Sequence, residues 1–311
     1  MEKNKTDQIS IEFSTTRDDS YSRLNSSMFL EDMAFSRYRI KKEYLSTILK
    51  CENPEEVIDF LSNRISIFRY RNRWGDRLNL EDSVLDLIEF ISARIARNGY
   101  CVFEIIKGGD DLTKLKVVLG DIQVKKKEVV QLIPSDIAKE LNCKTKISIP
   151  RTKCFLIEFP KVICSGKKYK KILKEMGEID DNDPMYSILN PSNLTKIEGY
   201  DPMKHRKKLD LILRQLTRDT SWHHREHSSS RDIFSNYYVT LRSLRFKRTK
   251  IILLKHIFDF IESIVANIFE GPILKIEYAK TIEDIDKIIE NYEIGKFTHE
   301  QHMKIITEYS L

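Results

Sequence analysis

Cysteine is scarce in this 311-residue chain: Cys51, Cys101, Cys143, Cys154 and Cys164 are the only five, and no two form a C-x-x-C pair. An odd, scattered set argues against a disulfide framework and for a reducing compartment. Cys101 and Cys154 lie in apolar strand-like runs, where a free thiol behaves as a small hydrophobe. Long apolar stretches are missing as well. The best one, Ile251 to Phe269, is broken by Lys255, His256, Asp259 and Glu262, whereas a membrane span needs about 18–20 apolar residues. The opening Met1-Glu-Lys-Asn-Lys-Thr-Asp has no apolar core of a secretory signal. No G-x-G-x-x-G, phosphate-loop or G-x-S-x-G pattern occurs, so nucleotide-dependent chemistry and acyl transfer have no support.

What is present is globular. Hydrophobic residues make up 41% and charged residues 32%, with a net charge of +6 from 53 basic and 47 acidic side chains. A small excess permits contact with polyanions without demanding it. The length suits one large domain or two modest ones.

The pattern along the chain predicts an α+β fold: a central antiparallel strand-rich region with flanking helices. Residues 1–27, polar and aperiodic, read as a flexible N-terminal arm. Residues 28–164 read as an α+β region and residues 165–311 as a helical region with a C-terminal strand and helices. Helices are expected over 28–50 and 54–67. Ser66 to Trp74 reads as a strand. The clearest helix runs from about 80 to 97, with Val84, Leu87, Ile88, Ile91 and Ile95 on one stripe, Asn79 as cap and Asn98-Gly99 as stop. Strands follow over 100–106, 115–119, 123–132, 146–149 and 154–159. Basic helices are expected over 167–176 and 202–220. One very long helix spans about 231–268 and ends at Gly271-Pro272. A strand at 273–278 and helices near 281–293 and 298–308 complete the tail.

Two enzymatic patterns fail on context. His223-His-Arg-Glu226-His227 matches the H-x-x-E-H zinc pattern, but its flanks are Thr-Ser-Trp and Ser-Ser-Ser-Arg, the composition of a solvated loop. Glu104/Lys107, Glu158/Lys161 and Glu277/Lys280 each pair a Glu with a Lys near a strand. Their spacing of three puts the two side chains on opposite strand faces, unlike the Glu-x-Lys of a metal-dependent nuclease. No catalytic residue, cofactor or metal is assigned. Two basic runs point instead to nucleic acid. Arg69, Arg71 and Arg73, beside Arg64 and Arg77, interleave with Phe68, Tyr70 and Trp74, a mix that binds phosphate and stacks bases. Arg242, Arg245, Lys247, Arg248 and Lys250 form a girdle midway along the long helix.

The element order of the second half resembles the C-terminal part of phage portal proteins: a long stem helix (231–268), a strand (Leu274-Lys-Ile-Glu-Tyr278), then a helical tail with Glu283-Asp-Ile-Asp286 and Gly295-Lys-Phe-Thr-His-Glu300. Ile95 to Glu104, Gln131-Leu-Ile-Pro134 and Ile149 to Pro160 are compatible with a portal wing, so the likeness covers about 70–311. The chain is short and lacks an evident crown, which fits a reduced or prophage-derived form. The resemblance implies a non-enzymatic oligomeric ring, typically a dodecamer, around a channel for double-stranded DNA. It also implies partnership with a packaging motor, capsid or head-completion proteins, no membrane, and a place in the host cytoplasm or the virion. The competing expectations are a metal-dependent nuclease and a nucleic-acid-binding protein, including a defence-related one.

Overall fold

The computed structural model describes residues 8–12, 24–36, 40, 42–66, 79–107, 112–182, 202–222, 236–277, 281–297 and 300–301. The fold is α+β, with antiparallel sheets and one long helix. Its contacts gather the chain into two units. Unit 1 takes Met1–Asp18, Ile40–Glu158 and Ile257–Glu277, and unit 2 takes Asp19–Arg39, Phe159–His256 and Tyr278–Leu311. The sequence division at 164/165 therefore sits near one crossing of the chain. The return of 257–277 to unit 1 and of 19–39 to unit 2 is a long-range pairing that no local composition announces.

Unit 1 begins its regular structure with α2 (Lys42–Ile48) and β1 (Leu49–Cys51), followed by α3 (Pro54–Asp59), which continues as a π-turn over Phe60–Arg64. α4 (Leu80–Asn98) is capped by Asn79, whose side chain accepts the Asp82 N–H at 2.8 Å. It ends at Gly99, whose φ of +77° is the left-handed conformation that glycine adopts without strain. Val84, Leu87, Ile88, Ile91 and Ile95 are fully buried, so the apolar stripe read from the sequence is the core face.

Seven strands follow the pattern β2 (Tyr100–Lys107), β3 (Thr113–Val117), β4 (Asp121–Val124), β5 (Glu128–Leu132), β6 (Lys146–Pro150), β7 (Cys154–Glu158) and, after the long helix, β8 (Leu274–Ile276). They form a β3-β2-β7 sheet, a β4-β5-β6 sheet and a two-stranded β1-β8 pair, all antiparallel. The run expected as one strand over 123–132 is two, because Lys125, Lys126 and Lys127 turn the chain and the Lys125 N–H closes on the Glu128 carbonyl at 2.9 Å. A short helix, α5 (Ser135–Glu140), was not anticipated. Between the two three-stranded sheets lies a core of Tyr100, Val102, Val118, Ile122, Val129 and Ile149. Phe103 meets Phe90 of α4 and Phe260 at centroid distances of 6.2 and 6.3 Å.

Unit 2 holds α1 (Leu24–Met33), α6 (Gly166–Asn182), α7 (Pro202–Leu216), the first part of α8 (Asn236–Ile268) and α9 (Ile282–Glu293). Its aromatic centre joins Phe29, Phe159, Tyr169 and Trp222: Phe159 stacks on Tyr169 at 3.9 Å, and Trp222 meets Phe29 edge-on at 5.3 Å. α9 packs on α8 through Leu241, Leu244, Ile251, Ile285 and Tyr292. α9 begins at a capping box of Thr281 and Asp284, which the sequence reading did not name. The helix expected over 28–50 is replaced by α1, α2 and β1. α1 stops because a buried lysine, described below, takes its last carbonyls. Among the described residues no helix is long and apolar enough to cross a membrane.

Candidate functional site

The basic girdle of α8 turns largely inward on its own chain. Arg242 donates from Nε to the Trp222 carbonyl at 2.8 Å, and from Nη2 to the Arg214 carbonyl at 3.0 Å and to the Thr217 hydroxyl at 3.0 Å. It thereby satisfies carbonyls left open where α7 ends. Burial, reinforced by repulsion from Arg214 and Arg245, pushes its pKa down to about 10, which leaves it charged at neutral pH. Lys250, buried at 7% exposure, donates to three successive carbonyls, Asp32, Met33 and Ala34, at 2.8, 2.9 and 2.7 Å. Its ammonium also lies 3.7 Å from the Phe35 ring centroid. A cation at a helix C-terminus meets both the open carbonyls and the negative end of the dipole. Arg242 and Lys250, read from the sequence as polyanion contacts, are each bonded within the chain to carbonyls at a helix end.

Arg245 and Arg248 lie closer to solvent and pair with α9. Arg245 reaches Glu293 at 2.7 Å, and Arg248 forks onto both oxygens of Asp286, one at 3.1 Å. The hydrogen bond to Asp286 raises the Arg248 pKa. Lys247 is half-buried in the same helix. Arg69, Arg71, Arg73 and the His223–His227 cluster lie outside the described residues.

Of the three Glu–Lys pairs, the three glutamates and Lys107 and Lys161 are described, and Lys280 lies outside the described residues. Glu277 follows β8 and is held below its ordinary pKa by hydrogen bonds from Lys50 and Lys275. Glu158 is exposed at the end of β7, where it faces Tyr100 in register. Glu104 is fully buried in β2, opposite Lys116 on β3 and Cys154 on β7. Its carboxylate accepts the N–H groups of Ile9 at 2.6 Å and Ser10 at 2.9 Å. Those bonds occupy both oxygens. Among the described residues no group of three or more His, Cys, Asp or Glu is placed to hold a metal ion.

Glu104 belongs instead to a constellation that the sequence reading missed. Gln131 of β5, also fully buried, grips Ile11 at both backbone groups, accepting its N–H at 3.0 Å and donating to its carbonyl at 2.8 Å. The same amide donates to the Leu119 carbonyl at 3.0 Å. Lys116, only 13% exposed, pairs with Glu12 at 2.9 Å. Ile9 packs on the core between the two three-stranded sheets, and Ile11 on Ile133 and Ala138. Residues 8–12 thus lie in a cradle built from side chains of β2, β3 and β5, although they join no strand ladder. This part of the expected flexible arm is anchored. The sequence signal was there: a Glu in Tyr100-Cys-Val-Phe-Glu-Ile-Ile and a Gln in Val129-Val-Gln-Leu are polar intrusions into apolar strands, and buried polar groups need partners.

A second buried carboxylate acts in the same manner. Asp180 of α6 accepts the N–H of Ser26 at 2.8 Å, the Ser26 hydroxyl at 2.6 Å and the Asn25 amide at 2.7 Å. A carboxylate at the first turn of α1 complements its open donors and dipole.

Exposed positive charge in unit 2 lies mainly on α6 and α7, which pack against each other: Lys167, Lys171 and Lys174 on the first, Lys207 and Lys208 on the second. Lys171 and Lys174 have partners one turn on, Glu175 at 3.3 Å and Glu178 at 3.5 Å. Exposed pairs of this kind are weak and exchange readily with other anions.

Comparison with family models, with curated proteins and with solved structures finds no match to this chain.

Proposed function

We propose that the chain is a non-catalytic structural protein that assembles into a portal-like ring, of phage or prophage origin, around double-stranded DNA. The observation that carries this reading is the order of elements at the end of the chain. α8 runs for 33 residues, about 50 Å of helix at 1.5 Å per residue, and is followed by the short strand β8 and the capped helix α9. Helices average about three turns in globular proteins, so a helix of this length asks for an architectural role, and a stem is one.

Two further features support it. The carboxylates that a nuclease would need are committed elsewhere, Glu104 to backbone N–H groups and Glu277 to two lysines. Exposed lysines on α6 and α7 supply sequence-independent phosphate contact, in place of Arg242 and Lys250. On this reading the partners are other copies of the chain, double-stranded DNA, and a packaging motor, capsid or head-completion proteins. The protein would work in the host cytoplasm or the virion.

The test is assembly. Sedimentation and negative-stain microscopy at tens of micromolar are expected to give a closed oligomer with a central opening. A strict monomer without rings would overturn the proposal. Incubation with plasmid DNA and Mg²⁺ or Mn²⁺ separates it from the nuclease alternative, because cleavage lost in a folded Glu158→Ala or Glu277→Ala variant would favour the enzyme.

A further inference from the structure

We propose that the lysine turn between β4 and β5 is a binding site in unit 1 for the phosphate backbone of a nucleic-acid duplex. This inference rests on the duplex-binding part of the reading above and does not depend on ring formation.

Lys125, Lys126 and Lys127 make up the turn, and all three are exposed. The turn is held from both sides. The Lys125 N–H closes on the Glu128 carbonyl at 2.9 Å, and the Lys127 carbonyl accepts the Arg151 N–H at 3.0 Å. The strand ladders run right up to it, with Val124 opposite Val129 and Glu128 opposite Pro150. The end of β6 thereby brings a fourth cation, Arg151, to the same end of the sheet. Lys125 pairs with Glu128 at 2.6 Å. Among the described residues no carboxylate pairs with Lys126, Lys127 or Arg151, and the Arg151 Nη1 is buried without a hydrogen-bond partner. Adjacent like charges repel one another in the free protein, and a bound polyanion relieves that repulsion. The Lys125–Glu128 pair is exposed and weak, so it yields readily to another anion. A turn already fixed by its ladders loses little freedom on binding.

The sequence around the turn selects the occupant. A duplex presents one phosphate per about 1.7 Å of its axis, a row of anions to match a row of cations. Residues 121–132 and 146–153 contain no aromatic side chain, so unpaired bases find nothing to stack on, and a preference for single strands lacks its usual basis. Within the same two stretches the one exposed large apolar side chain is Val124, too little to anchor the turn in a lipid surface. The contact is therefore with backbone phosphate and independent of base sequence.

The experiment uses the full chain. Lysines are acetylated briefly with and without a duplex oligonucleotide, and each site is read by peptide mass spectrometry. Lys126 and Lys127 should be protected severalfold. Lys146, equally exposed at the opposite end of the same sheet, where it lies opposite Leu132, should label at an unchanged rate. In fluorescence anisotropy, Lys126→Glu with Lys127→Glu should flatten the salt slope of duplex affinity by about 2, whereas Lys126→Arg with Lys127→Arg should keep it. Both side chains are exposed in a turn, so the variants are expected to fold, which circular dichroism checks. Duplex binding that leaves both lysines unprotected and ignores the Glu pair overturns this site and leaves duplex binding in place. No duplex binding at about 50 mM salt removes that part of the reading and this inference together. Protection by phosphatidylserine vesicles but not by duplex, or by inorganic phosphate as fully as by duplex at equal phosphate concentration, overturns the duplex as occupant.

Discussion

At the scale of single residues, the polar groups that matter are those the fold buries and then satisfies. Glu104 is the sharpest case. Its carboxylate sits at 0% exposure with the N–H groups of Ile9 and Ser10 upon it. Glu104→Ala would strand both donors, at about 1–3 kcal/mol each, and leave a void between the sheets. A loss of about 3 kcal/mol in urea unfolding is expected, and a change under about 1 kcal/mol would show that seating residues 8–12 adds little to the stability of the fold. Cys101 gives a pH-dependent counterpart. Burial pushes its thiol from the ordinary value of 9.0 up to about 12, with the Arg94 guanidinium pulling the other way. At pH 8 the thiolate fraction is about one in ten thousand, so Cys101 should react with Ellman's reagent far more slowly than the partly exposed Cys143. The sign for stability follows. A native pKa above the unfolded one favours folding below pH 9, and that contribution is lost as the pH climbs toward 12. Equal labelling rates for Cys101 and Cys143 in the native protein would refute the burial. In both cases the residue type was legible in the sequence as a polar or reactive group inside an apolar strand. Its partner was not, because Ile9 lies 95 positions from Glu104.

At the scale of elements, local rules hold where both ends of an element are signalled nearby. α4 illustrates this. Asn79 caps its start, Gly99 ends it in a left-handed conformation, and five stripe residues fill its core face. Asn79→Ala should cost about 1 kcal/mol, and Gly99→Ala about 1–2 kcal/mol. The two sites are twenty positions apart on opposite helix ends, so the double variant should be additive within about 0.5 kcal/mol. Shifts in urea midpoint at constant slope would measure all three. α9, expected near 281–293, has the same kind of start, a capping box of Thr281 and Asp284 that the sequence reading did not name. The failures are equally physical. The helical pattern over 28–50 carries no visible stop at Met33, because the stop is Lys250, more than two hundred positions away. The strand over 123–132 looked continuous because Val124 precedes the lysine triplet and Val129 and Val130 follow soon after it, and only pairing with β4 and β6 fixes the turn. The girdle of α8 looked wet because its charges are dense. Arg242 and Lys250 are instead satisfied by carbonyls that two other helix ends leave open.

At the scale of the whole molecule, a net charge of +6 says little until it is placed. With Arg242 and Lys250 spent on helix ends, the exposed positive charge of unit 2 lies mainly on α6 and α7 among the described residues. A protein that neutralises phosphates loses affinity with salt at a slope of about 0.9 per phosphate contacted. Reversing two contacting lysines should therefore flatten the slope by about 2. Lys207→Glu with Lys208→Glu is the pair to make, since both are exposed and neither is needed by a helix end. Fluorescence anisotropy with a 30-base-pair duplex between 50 and 200 mM salt reads the change. Arg242→Ala is the contrasting variant. It should lower the unfolding midpoint, because it leaves the Trp222 and Arg214 carbonyls without their donor, yet leave the salt slope of the folded protein unchanged. The two variants thus separate charge that holds the fold from charge proposed to meet DNA. A slope unmoved by the lysine pair but flattened by Arg242→Ala would return the contact to α8, and with it a stem helix that faces the channel through the very side chains that close α7.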